Sequence, residues 1–191
     1  MAARITPKLE RLAVYEAPEP IAPGVSVPAF VGFGEVSIPD GDAGANASLK
    51  LMAKIIDAYK SNPVVYSWSR QVVADLPQKA YYQEARTLAD WVRDRIAYRR
   101  DPVGQDSFQV PPRTLEFASG DCDDKTMLLG AGLMSIGHPI RLVALKAPGA
   151  DLYGHVFLET LVGKRWYAAD ATEPQPFGFY PGPGYRMVIY A

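Results

Sequence analysis

The sequence predicts an α+β fold in which helices come first and a buried helix then packs on an antiparallel sheet. Residues 78–98 carry Tyr82, Ala85, Leu88, Val92 and Ile96 at steps of three and four, the period of a half-buried helix. Residues 122–136 are apolar on most sides, as a helix surrounded by protein is. After them come three strand-like runs, 140–146, 153–162 and 165–169, the last two joined by a tight hairpin at Val162-Gly163-Lys164.

The N-terminal stretch 1–47 reads as a Pro-rich arm with short edge strands, since six of 17 prolines fall within the first 40 residues. GDAGANAS (41–48) reads as a linker or turn, so the main domain is expected over 48–191, its helical part over 48–100. A first helix follows Ser48, with Leu51, Ile55 and Tyr59 on one face, and a second is expected over Val64–Ala74. Asp101-Pro102 ends the third helix, and Val110-Pro111-Pro112 belongs to the loop beyond it. Gly137 caps the buried helix, with His138 expected at its C-terminal end, and Tyr185–Tyr190 forms the last strand.

Composition narrows the function. The chain has 191 residues, one Cys and two His, with 20 Lys plus Arg against 21 Asp plus Glu. One cysteine makes no internal disulfide, and three Cys/His groups fall short of the roughly four that a closed structural zinc site needs. A net charge of −1 argues against nucleic acid as the main partner. No apolar run approaches the ~20 residues of a membrane span, and MAARITPKLERL is charged where a signal peptide would be apolar. The expected protein is cytoplasmic in type, with no nucleic-acid or membrane partner.

Chemistry concentrates in Gly120-Asp121-Cys122-Asp123-Asp124. Cys122 opens the buried helix, where unsatisfied N–H groups and the dipole lower a thiol pKa from about 8.5. The three aspartates oppose a thiolate, and Asp121 is a natural N-cap, so the cysteine needs a proton-accepting partner. Taken alone, a single cysteine is usually a small buried hydrophobe. His155 opens an alternating strand and Asp170 follows the next one. A hairpin centred on Gly163 pairs residues whose numbers sum to about 325 or 326, which sets His155 opposite Asp170. An imidazole opposite a carboxylate is the base and orienter of a nucleophilic triad. Spacing alone does not bring the start of the helix to His155.

GDCDDKTMLLGAGLMSIG, GHVFLE and WYAADAT resemble, in this order, the transglutaminase-like superfamily of cysteine enzymes in its bacterial and phage-type branch. RDPVGQDSFQVPPRTLEFASGDCDD looks like the phage-associated type, and the resemblance covers about Asp90–Ala171. It implies a papain-like cysteine-enzyme core and acyl chemistry on a protein or peptide substrate, without cofactor or metal. Cys122 would attack a carbonyl, His155 carry the proton and Asp170 orient the imidazole. The Cys122 N–H would hold the oxyanion, with Gln109 or Gln105 as second donor and Trp166 beside the substrate. Hydrolysis is preferred to cross-linking, since no calcium-type motif is visible. The resemblance implies a host cytoplasm or a virion as the location, with virion proteins among the expected partners.

Two other readings compete. Asp121, Asp123, Asp124, His155 and Asp170 offer metal ligands, but the DxDD run is more simply a capped helix start. A catalytically silent module in virion assembly would keep the fold without the reaction. Trp91 is expected in the core and FGFYPGPGY as a cleft or packed surface loop, while Asp101 and Asp106 are expected to position the loop before Cys122.

Overall fold

The computed structural model describes residues 38–39, 41–101 and 107–191; residues 1–37 of the arm expected over 1–47, with Gln105 and Asp106, lie outside them. Helices α1 (Gly41–Tyr59), α2 (Pro63–Val72) and α3 (Tyr81–Arg95) come first. Strand β1 (Ala97–Tyr98), helix α4 (Pro111–Phe117) and strand β2 (Ser119–Gly120) lead to the central helix α5 (Cys122–Ser135). Strands β3 (Ile140–Lys146), β4 (His155–Val162), β5 (Arg165–Ala169) and β6 (Tyr185–Tyr190) complete the chain as an antiparallel sheet in the order β5-β4-β3-β6.

Helix α5 is the hub. Its residues from Asp124 to Leu133 are all buried, beneath α1–α4 on one side and the sheet on the other. Small residues permit this: a Cβ on Gly132 would lie 2.5 Å from the Trp68 ring of α2. The helix ends in a Schellman motif, with Gly137 at φ +94°, its N–H on Met134 O and the His138 N–H on Leu133 O. Only the backbone of His138 serves that end. Its buried ring turns away to bond Glu84 of α3 at 3.0 Å, which gives a buried imidazole a polar partner.

Several elements depart from the sequence expectation. The supposed linker 41–48 is the start of α1, so the boundary expected at 47/48 falls inside a helix. Gly44 is buried there against the Pro39 carbonyl, so tertiary contact overrides the loop-like composition. The fully buried face of α1 is Leu49, Met52 and Ile56, while Leu51, Ile55 and Tyr59 pack at its margin. The helix lies against both α5 and the sheet and so needs a wide apolar face. The expected loop after residue 110 contains α4, because Pro111 and Pro112 occupy its first turn, where no N–H is required.

The hairpin register also shifts. Val162 pairs with Arg165 and Leu158 with Ala169, leaving Gly163 and Lys164 as a two-residue turn with Gly163 at φ +63°. Continued one residue beyond β5, this register sets Asp170 opposite Phe157 and diagonal to His155. Both remain on one face of the sheet, so the pairing survives as a diagonal neighbour contact.

Candidate active site

The start of α5 is fixed from three sides. Asp121 Oδ1 accepts the N–H groups of Asp123 at 3.0 Å and Asp124 at 3.3 Å, while Asp124 Oδ2 accepts the Asp121 N–H at 3.4 Å, a reciprocal cap. Upstream, the parallel pair β1–β2 ties Arg99 N–H to Gly120 O at 3.0 Å, just before the cysteine. Below, Lys125 is buried with its ammonium on Ile96 O at 2.8 Å and Arg93 O at 3.4 Å, the last carbonyls of α3. Burial lowers its pKa, against the opposing pull of Asp170.

Asp124 is itself clamped. Gln109 donates its backbone N–H at 2.7 Å and its side-chain amide at 2.6 Å, and the amide also reaches Ser119 O at 3.3 Å. Burial, with Asp121 nearby, pushes the Asp124 carboxyl up to about 7 despite these donors. Gly120 is required by this packing, since a Cβ would lie 2.6 Å from that of Asp124. The DxxD cap was visible in the sequence, whereas the Gln109 clamp across 15 residues had no local signal.

Cys122 is half-buried, and its sulfur lies 3.8 Å from Asp123 Oδ1. Burial first, then Asp123 and Asp121, hold the thiol well above its ordinary pKa; hydrogen bonding to the backbone of Val156 and Asp123 works the other way. Val156 is the residue after His155. Thr126 Oγ1 also reaches Val156 O at 3.3 Å, so the first turns of α5 dock on the strand start that carries the histidine.

His155 Nε2 meets Asp170 Oδ2 at 2.6 Å, and Asp170 Oδ1 accepts the Thr172 N–H at 2.9 Å. The carboxylate is thus nearly buried and held at both oxygens. This engagement of Nε2 leaves Nδ1 as the imidazole nitrogen for proton exchange. The His155 ring stacks on Phe157, centroids 6.0 Å apart. A cleft of about 330 Å³ opens beside the pair, walled by Leu145, Phe179, Pro181 and Gly182, with Glu173 and Gln175 at its polar side.

The remaining sequence candidates fall elsewhere. Gln109 serves the Asp124 clamp, where its amide is committed. Trp166 does not line the cleft: it stacks under the Arg141 guanidinium, 4.4 Å from its ring centroid, and edge-on to Tyr190. Trp91 packs edge-on to Trp68 at 5.2 Å. Phe177 is buried beside Tyr82 and Tyr167, so the FGFYPGPGY loop both packs and lines the cleft. Asp101 accepts the Ser107 hydroxyl at 3.0 Å and its N–H, tying the ends of the intervening segment. Asp121 and Asp124 are engaged in the helix cap, and no group of three or more metal-ligating side chains occurs among the described residues.

A thiol at a helix start, docked on a strand that bears a His–carboxylate pair, supplies the parts that nucleophilic acyl chemistry uses. The Transglutaminase-like superfamily model matches residues 67–171, more than half of the sequence, and the chain belongs to that superfamily. A candidate protease from Parabacteroides distasonis has a similar fold: TM-score 0.55, 13% identity, 82% of this chain and 37% of that one covered. A candidate cysteine protease from Cytophaga hutchinsonii gives TM-score 0.49 at 13% identity, with 73% and 55% covered. Legionella pneumophila LapG, EGTA-treated, gives 0.48 at 16%, with 68% and 74% covered. The chain thus spans about a third of the Parabacteroides protein and about half of the Cytophaga one. No curated protein matches the sequence.

Proposed function

We propose that the protein is a cysteine hydrolase acting on peptide or amide bonds through Cys122, His155 and Asp170. The observation that carries this reading is the docking of the cysteine's helix on Val156, next to a histidine already bonded to Asp170. In the proposed reaction His155 Nδ1 takes the thiol proton as sulfur attacks the carbonyl carbon. The oxyanion forms against the Cys122 N–H at the helix start. Collapse expels the amine, which leaves with the proton from His155, and a thioester remains. Water then attacks that thioester, giving its proton to Nδ1, and the acid departs as sulfur regains it. Asp170 holds the imidazole and offsets its transient positive charge.

The setting we propose is a phage or prophage product, in the host cytoplasm or on a virion, from the resemblance of the sequence over residues 100–124 to the phage-associated type. One observation favours the alternative of a silent assembly module: burial and the flanking aspartates keep an unassisted Cys122 protonated. A thiol-directed electrophilic probe separates the two. The hydrolase reading expects labelling of the sole cysteine at neutral pH, lost in Cys122→Ala and strongly slowed in His155→Ala. A wild-type protein that ignores the probe would support the silent module.

A further inference from the structure

We infer that the cleft beside His155 selects a basic side chain, Lys or Arg, of the substrate, with Glu173 as its charge partner; this rests on the hydrolase reading above. The shape and chemistry of the cleft carry the inference. Its volume of about 330 Å³ leaves ample room for one long side chain. Leu145, Phe179 and Pro181 offer apolar surface, which the methylene stem of Lys or Arg covers while its charged end stays near water. Phe179 is 48% exposed, so its ring is open to a stacked cation or stem.

Among the described residues, the charges along the wall are Asp170 and Glu173, and no Lys or Arg lines it. Asp170 is taken by His155 and the Thr172 N–H, which leaves Glu173 as the carboxylate offered to a ligand. Lys125 and two arginines stand nearby; Lys125 acts on Asp170, but its ammonium is held by Ile96 O and Arg93 O and does not line the cleft. Arg93 touches the Gln175 carbonyl at 3.4 Å, but Asp90 at 2.6 Å and Asp94 at 2.9 Å absorb its charge. Arg186 lies over the Tyr180 ring at 5.0 Å with a nitrogen on Pro181 O at 3.4 Å, and it does not line the cleft. An acidic substrate side chain would find no cation among the described residues of the wall and would face Glu173.

Cys122 itself is not among the residues lining the cleft, so the test uses peptidyl acyloxymethyl ketones that alkylate a catalytic thiol and differ only in one side chain, Lys, Gln, Glu or Leu, placed in turn at each of the three positions preceding the electrophile. The full-length protein is treated with each, and Cys122 labelling rates are read by intact mass. At one of these positions the Lys probe is expected to react roughly two- to fivefold faster than its neutral counterpart Gln, as suits a solvent-screened ion pair. That ratio should shrink on going from about 50 to about 500 mM NaCl. Glu173→Gln should bring it to about one, and Glu173→Lys should turn the preference toward the Glu probe. Labelling that ignores the side chain, or a Lys preference that survives Glu173→Gln, overturns the inference while leaving the reactive thiol standing. Failure of every probe and of iodoacetamide to label Cys122 overturns the hydrolase reading and the inference together.

Discussion

Replacing Asp124 by Asn should remove most of a pH-dependent loss of stability. The carboxyl titrates near 7 in the folded protein, against an ordinary aspartate value of 3.8. Between these values the folded state holds a proton that the unfolded chain has lost, so unfolding releases protons and stability falls as pH rises. Above the folded value both states are ionised and the dependence ends. Integrated from pH 5 to pH 8, the change is about 2.5 kcal/mol, a large share of a typical domain's stability. Asn keeps an oxygen for the Gln109 N–H, and the Gln109 amide can turn to accept from it; no charge is then buried. Urea unfolding of both proteins at about pH 5, 6, 7 and 8 measures the difference. Wild type should lose about 2.5 kcal/mol relative to Asp124→Asn across this range. Parallel profiles would refute the assignment of a protonated, buried Asp124.

Two further predictions concern the sheet. Asp170→Asn should lower Cys122 reactivity and any turnover by about 10²- to 10⁴-fold with little change in the unfolding midpoint, since it disturbs the imidazole more than the packing. An unaltered rate constant would remove Asp170 from the site. Trp166→Ala should cost about 1–3 kcal/mol through the lost Arg141 stack and edge contact to Tyr190. Its probe-labelling rate should stay within about twofold of wild type at temperatures where both are folded, and a tenfold loss would return Trp166 to the substrate side.

The fold was legible where local pattern and tertiary demand agreed. β3, β5 and β6 occupy the expected residues because their runs sit between clear turns, and α5 stands out because it is apolar all round. α1 was foreshortened because Gly and Ala in 41–48 have a loop-like composition, while burial of Gly44 on Pro39 decides their conformation. α4 has no clear signature in the sequence, because two prolines stop one helix and start another equally well. The site was legible in its residue types and order. His155 and Asp170 came together despite a register error, because the slip kept both on one face. What spacing could not supply is the approach of α5 to Val156, which depends on how a helix seats on a sheet. The Gln109–Asp124 clamp was hidden for a related reason: its partners come from a loop and a helix 15 residues apart.

The most direct measurement of the central claim is the pH dependence of Cys122 alkylation by iodoacetamide in wild type and His155→Ala. Burial, Asp123 and Asp121 hold the unassisted thiol high, so reactivity near neutrality must come from proton transfer to His155. The account predicts a wild-type rate already substantial at about pH 7, and a variant whose rate rises only in the alkaline range. Superimposable profiles for the two proteins would contradict it.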